Sequence, residues 1–385
     1  MKQPSYIELS RSALKKNLHY LKKRIGKQAR YVSVIKGNAY GHGIREFIPL
    51  AEECGVDYFA VFDAYEAFLA LSAKRPESQI MIMGMIEDSE LEWAIAEDIT
   101  FFVFEKERLQ SAVRYAKQVG KPARIHLELE TGLHRTGFEE IELSWVIEFI
   151  HKHYEHIQLE GICTHYAGAE SIANYVRVNN QYNKFIELTK MLAERGLEFR
   201  FHHTACSAAA LTYPYMCMNM VRIGIAQYGF WPGEETRMYN LLSDDMRFTR
   251  DPLKRVLKWK TQVMSTKVVE AAQFLSYGHS HLTSRRTKVA AIPIGYYHGY
   301  RRSLSNVGHV LIKGRKAPVV GMVNMNMFLV DITSLPPVQK GDEVVIIGEQ
   351  GKQAITVASF SDASKLVNYE LLTRLPAQIP RYIIP

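Results

Sequence analysis

Cysteine is scarce in this 385-residue chain, and the four present, Cys54, Cys163, Cys206 and Cys217, form no C-x-x-C pair. That spacing argues against a disulfide framework and against a zinc site, and leaves buried thiols as the expected state. Long apolar runs are lacking too. The segment MKQPSYIELSRSALKKN has no continuous hydrophobic stretch of signal-peptide length, and no later run is long enough to cross a bilayer. A cytoplasmic protein with no membrane contact is the expectation. No G-x-G-x-x-G follows the first strand-like run, which speaks against a dinucleotide crevice in an open sheet. Neither a fixed-period repeat nor a low-complexity tract is present. The net charge is +8, but lysines and arginines are scattered, with only short groups such as Arg285-Arg286 and Arg301-Arg302. Nucleic acid is therefore not an expected partner, and only a mild preference for small anions remains.

What is there suits an ordinary globular protein, 47% apolar and 23% charged, with enough chain for one large domain and a smaller one. Residues 11–24 place Leu14, Leu18 and Leu21 on one helical face and lysines on the other. Short apolar runs then recur at 31–36, 58–62, 80–85, 100–104, 124–130, 157–166, 199–205 and 220–229. Stretches of helical period lie between them, for example 66–74, 91–98, 108–118 and 182–196. Strand and helix alternating in this way predict a (β/α)₈ TIM-type barrel over roughly 230 residues. Near Arg247-Phe-Thr-Arg-Asp-Pro252 the composition turns to charged and turn-forming residues, and β-rich segments follow to the end. The expected division is a barrel in 1–245 and an all-β domain in 246–385.

Chemistry concentrates at the end of the first barrel run, YVSVIKGNAYGHG at 31–43. Tyr31, Val32, Val34 and Ile35 form strands, whereas Gly37, Asn38, Gly41 and Gly43 form turns, so Lys36 emerges where a buried strand ends. Partial desolvation there frees the neutral amine that a Schiff-base lysine needs. A lysine merely snorkelling past a strand end is the plainer reading of that residue alone.

In such a barrel the active site lies at the C-terminal ends of the strands, and loops after strands 7 and 8 commonly hold phosphate. Strand 7 leads into Ala205-Cys206-Ser207 and a helix start whose free N–H groups suit an anion. Strand 8 carries Arg222-Ile-Gly224-Ile225, where glycine lets the backbone approach a ligand. Taken singly these are a cap and a packing choice. The pairs His202-His203 and His279-Ser-His281 read as core or hydrogen-bonding histidines, because a strand puts the first pair on opposite faces and no third ligand is evident. No metal is expected.

Lys36-Gly-Asn-Ala-Tyr40-Gly-His42-Gly resembles the pyridoxal-phosphate (PLP) lysine segment of the alanine racemase family, commonly K-A-N-A-Y-G-H-G, and matching segments extend from about residue 7 to residue 382. The resemblance implies a PLP-dependent racemase with Lys36 as cofactor lysine and one catalytic base, and Tyr277, in LSYGHS, as the other. It assigns Tyr40, Ser207 and the backbone of Gly224 and Ile225 to the cofactor phosphate, and Tyr369 to the same region and the border of the substrate pocket. Arg222 matches the arginine at the pyridine nitrogen, His165 the histidine supporting it, and Arg135 the arginine at the phenolic oxygen and substrate carboxylate. Met325 falls on the substrate-carboxylate position. Because a guanidinium keeps its proton, Arg222 would leave the ring a weak electron sink, which favours racemisation over transamination.

The resemblance further implies a head-to-tail homodimer with shared sites, and D-alanine for peptidoglycan as the product's role. Tyr369 and Tyr277 leave little room beyond a methyl group, so alanine is the expected substrate, with serine or a longer amino acid as the alternative. A decarboxylase on this architecture would need a glycine-rich phosphate loop that is missing. A non-catalytic PLP-binding protein would have no use for Tyr277. Several positions depart from the family pattern. Glu128 stands where many members carry a carbamylated lysine, and is read as a ready-made anionic partner of Arg135. Met322, Asn326 and His298 replace charged residues around the substrate entrance, and Cys206, read as a packed thiol, replaces an asparagine.

Overall fold

The computed structural model describes residues 3–243, 251–364 and 368–385. The boundary expected between 245 and 246, and most of the composition shift beginning at Arg247, lie outside the described residues. Two compact units emerge: residues 12–37 with 47–254 form one, and residues 1–11, 38–46 and 255–385 the other.

Strand β1 (Tyr6–Ser10) opens the chain, followed by helix α1 (Arg11–Ile25), which buries Leu14, Leu18 and Leu21 and leaves Lys15 and Lys16 in solvent. Eight parallel strands then build the larger unit: β2 (Arg30–Val34), β3 (Tyr58–Val61), β4 (Gln79–Ile82), β5 (Thr100–Val103), β6 (Ala123–Glu128), β7 (Ile157–Cys163), β8 (Phe201–His203) and β9 (Met220–Ile223). Their order is β8-β7-β6-β5-β4-β3-β2-β9, and each lies within one of the eight apolar runs or begins one residue before it. Strands buried on both faces need no alternation of polar residues, which is why they read as continuous apolar runs. The sheet is a nearly closed barrel. Between β8 and β9 no ladder forms; instead Arg222 N–H donates to Ala205 O (3.1 Å), and the Asn219 side chain accepts from His202 N–H (2.6 Å) and donates to Arg200 O (2.9 Å).

The second unit is mostly β. It holds β10 (Leu257–Gln262), β11 (Ser265–Val269), β12 (Thr287–Ile292), β13 (His309–Ile312), β14 (Arg315–Val320), β15 (Phe328–Asp331), β16 (Glu343–Gln350), β17 (Gln353–Ile355) and β18 (Arg381–Ile384). The path runs β11-β12-β15-β14-β13-β16-β10-β1-β18, with β17 paired to β16. Strand β1 sits between β10, antiparallel, and β18, parallel, so both chain ends build this sheet. Ile7 and Leu9 point into its core. Among the described residues no helix is long and apolar enough to cross a membrane.

Candidate active site

Strand β2 is pinned just before Lys36. Val34 O accepts from Gln227 Nε2 (3.0 Å) and the Tyr228 hydroxyl (3.0 Å), and Ser33 Oγ donates to Gln227 Oε1 (2.7 Å). Lys36 opens a short helix, α2 (Lys36–Tyr40), whose backbone is left-handed: φ is 64° at Gly37, 53° at Asn38 and Ala39, 51° at Tyr40 and 78° at Gly41. That hand costs L-residues about 1–2 kcal/mol each, so the turn needs external support. Asn38 Oδ1 accepts from Ile44 N–H (3.0 Å), and His42 Nδ1–H donates to Ala39 O and Tyr40 O (3.0 Å each). Arg381 donates from Nη2 to Gly41 O (2.9 Å), and a Cβ at Gly41 would overlap the Leu372 carbonyl.

In the barrel unit the expected residues stand at the C-terminal ends of the strands. Lys36 stays accessible to solvent, yet protein crowding lowers its amine pKa, and the Arg135 and Arg222 cations lower it further against Glu66 and Cys206. Arg222, buried on β9, has five N–H bonds. Nη1 donates to His203 Nδ1 and to His203 O (3.0 Å), and Nη2 donates to Thr164 O (2.8 Å) and Thr204 O (3.4 Å). Among the described residues the Nε–H is left as its one uncommitted donor. His165, half-buried just beyond β7, has its pKa pushed down to about 3 by burial, then by Arg222, Arg135 and Lys36. It is neutral at physiological pH.

Ser207 Oγ accepts from Gly224 N–H (3.0 Å), which ties the two phosphate-loop candidates together and leaves the serine proton to donate elsewhere. Cys206 is half-buried at the N-cap position of the following helix, Ser207–Thr212. Glu128 is buried at the end of β6. Burial raises its carboxyl pKa, while the nearby Thr136 side chain, then Arg222 and Arg135, pull the other way. Among the described residues no ion pair joins Glu128 to Arg135, which is exposed.

In the β-rich unit Tyr40 and Tyr369 approach, with ring centroids 6.1 Å apart; Tyr40 is buried and Tyr369 is 36% exposed. Tyr277 is 74% exposed between two left-handed residues, Ser276 (φ 65°) and Gly278 (φ 69°). Ser276 Oγ donates to Met322 O (3.2 Å), and Asn324 Nδ2 donates back to Ser276 Oγ (3.2 Å), so the Tyr277 turn is tied to the loop carrying Met325, itself 55% exposed. Asn326 is exposed and Met322 half-buried on that loop, while His298 Nδ1 accepts from Gly295 N–H (3.2 Å).

Sequence reasoning did not single out Gln227, Arg381 or the role of His203. A buried glutamine and an arginine four residues from the C-terminus carry no motif, and His203 read only as half of a histidine pair. The donor set suits a cofactor bearing an aldehyde, a ring nitrogen and a phosphate. An amine of lowered pKa meets the first, a spare guanidinium N–H the second, and a serine hydroxyl with glycine backbone the third.

The comparisons with known proteins agree over almost the whole chain. Residues 9–232 match the family model "Alanine racemase, N-terminal domain" and residues 256–383 "Alanine racemase, C-terminal domain". The alanine racemase of Leptospira interrogans is 32% identical over 382 residues, 99% of this chain and 96% of that protein. Alanine racemase 1 of Caldanaerobacter subterraneus is 33% identical over 380 residues, covering 98% of this chain and 94% of its own. Among solved structures, the Clostridium difficile 630 alanine racemase superposes with a TM-score of 0.89 at 31% identity, covering 100% of this chain and 96% of its own. A PLP lysine segment, two ordered domains and relatives matched along nearly their full length make one case: the chain belongs to the alanine racemase family of PLP-dependent isomerases.

Proposed function

We propose that the chain interconverts L-alanine and D-alanine with two bases, Lys36 Nζ on one face of the substrate α-carbon and the Tyr277 hydroxyl on the other. The observation that carries this reading is the placement of Lys36 at the end of β2, on the barrel rim it shares with Arg222, His165 and Ser207, where crowding and neighbouring cations lower its amine pKa. Bound PLP supplies an electron sink that acidifies the α-hydrogen of an amino acid joined to it. Lys36 Nζ, partly desolvated, holds and returns one of the two exchanged protons, and Tyr277 Oη the other. Arg222 Nε–H meets the ring nitrogen without giving up its proton. Ser207, the Gly224 and Ile225 backbone, Tyr40 and Tyr369 hold the phosphate, and His165 supports Arg222. Arg135 and Met325 receive the substrate carboxylate, and Glu128 acts on Arg135 as the encoded anion through its neighbour Thr136.

Tyr277 is exposed on a turn tied to the loop that carries Met325, as a group offered to a second copy would be, and the reading therefore includes a homodimer with shared sites. A cytoplasmic enzyme supplying D-alanine to peptidoglycan is the corresponding role. Lys36→Ala and Tyr277→Phe chains, each inactive alone, test it when mixed and refolded together in deuterated water. One native site per mixed dimer is expected to restore about a quarter of the specific rate at which one alanine enantiomer is inverted to the other with deuterium at the α-position, given random pairing. No recovery on mixing would overturn the shared site, and no exchange in the unmodified chain would overturn the racemase.

A further inference from the structure

Arg222 only donates, so the ring nitrogen it meets, His203 Nδ1, is the unprotonated one. A neutral imidazole carries one proton, which in His203 must sit on Nε2, 2.8 Å from His126 Nδ1. His126 Nδ1 is then an acceptor as well, and its own proton sits on Nε2, 3.4 Å from the Tyr58 hydroxyl. Tyr58 donates to Thr100 Oγ1 (3.0 Å), and Thr100 donates to Ile80 O (3.2 Å). A single direction of donation therefore crosses six strands, β9, β8, β6, β3, β5 and β4, from a guanidinium to a main-chain carbonyl.

The barrel is shaped around this chain of groups. Tyr58, Thr100, His126 and His203 are each 0% exposed. A Cβ at Gly161 would overlap His126 Nδ1, so only glycine leaves room for that ring. The β6–β7 register shifts at the same place, pairing Ile125 with Leu159 but His126 with Gly161, which is a bulge on β7. Phe102 lies against all three groups, its centroid 5.9 Å from the His126 ring, 5.8 Å from the His203 ring and 5.9 Å from the Arg222 guanidinium carbon. Barrel interiors are normally filled by apolar layers, and a polar chain inside one is tolerated when every member is satisfied. Burial, then the Arg222 charge, pushes the His126 pKa down to about 3, and that of His203 falls well below its usual value for the same reasons. Both rings stay neutral.

We propose that His126 and Tyr58 are positioning residues that lock His203 in the tautomer accepting from Arg222, so that the Arg222 Nε–H remains the donor kept for the cofactor ring nitrogen. This rests on the PLP reading of the site. Without the lock, His203 is free to carry its proton on Nδ1. Two donors would then face each other, and the guanidinium would turn away.

Imidazole ¹⁵N resonances of the full-length chain, labelled at histidine and recorded with and without PLP, test this directly. His203 and His126 are expected to be neutral and unprotonated at Nδ1. In Tyr58→Phe and His126→Leu, His203 should gain an Nδ1 proton, and the PLP dissociation constant should rise about fivefold, the size of one neutral hydrogen bond. His126→Asn offers an amide oxygen in place of the Nδ1 acceptor, and should keep both the His203 tautomer and PLP affinity within about twofold of the unmodified chain. An Nδ1-protonated His203 in the unmodified chain would overturn the proposal whether or not the variants fold, as would an unchanged His203 in His126→Leu. Failure of the chain to bind PLP would instead remove the racemase reading and leave the tautomers readable.

Discussion

Glu128 keeps a carboxyl group buried at the end of β6 with one threonine hydroxyl and two arginines at longer range to offset the loss of water. Burial is the largest influence, and its folded-state pKa is raised. The sign follows. Below the unfolded value, about 4.3, the group is neutral in both states and costs nothing as a charge; as pH rises through the raised folded value the desolvated charge becomes a full penalty. Glu128→Gln is therefore expected to raise the thermal midpoint at pH 7, with the gain vanishing below about pH 4. The same variant is expected to bind alanine more weakly, through Arg135. A gain in stability joined to unchanged affinity would make Glu128 a burden with no task, and substrate titration alongside calorimetry separates the outcomes. The burial was not legible at this position in the sequence, where a strand-end glutamate looks the same solvated or enclosed.

At the scale of the element, the left-handed turn after β2 explains the spacing of the Lys36 motif. Glycine or asparagine occupies positions 37, 38, 41 and 43, where φ is positive or a carbonyl must be approached, and His42 clamps the turn from inside with two bonds to its carbonyls. Ala39 and Tyr40 adopt the same hand with no such freedom, which makes this turn a store of local strain beside Lys36. Gly41→Ala would add a Cβ against the Leu372 carbonyl at φ 78°. It is expected to destabilise the chain by about 1–3 kcal/mol in urea unfolding, with a loss of PLP affinity as Tyr40 shifts. Stability unchanged within about 0.5 kcal/mol would show that the turn relaxes at no cost. That residues 37–43 turn was readable from their types; the hand of the turn depended on Leu372 and Arg381, more than 300 residues away.

Across the molecule, His42, His126 and His203 are all 0% exposed and have lowered pKa values, about 3 for the first two. Unfolding at acid pH lets each take up a proton that the folded state refuses. Stability should be complete above about pH 6.5 and fall as pH drops towards 3, with unfolding near pH 5 taking up roughly four protons, the fourth at His165, whose pKa is also about 3. Urea midpoints measured between pH 7.5 and 4.5 report this slope; a flat profile would mean that these rings protonate without unfolding. The sequence by itself determined the eight apolar runs, the β-rich segments that follow and the Lys36 motif, because apolar period and turn chemistry are set within a few neighbouring residues. Only the tertiary structure decided that β1 completes the sheet at the far end of the chain, that Gln227 pins the strand before Lys36, and which Arg222 N–H is spare. Those outcomes depend on donors and acceptors that several distant strands bring together, and hydrogen-bond satisfaction in a buried core is a property of the whole constellation.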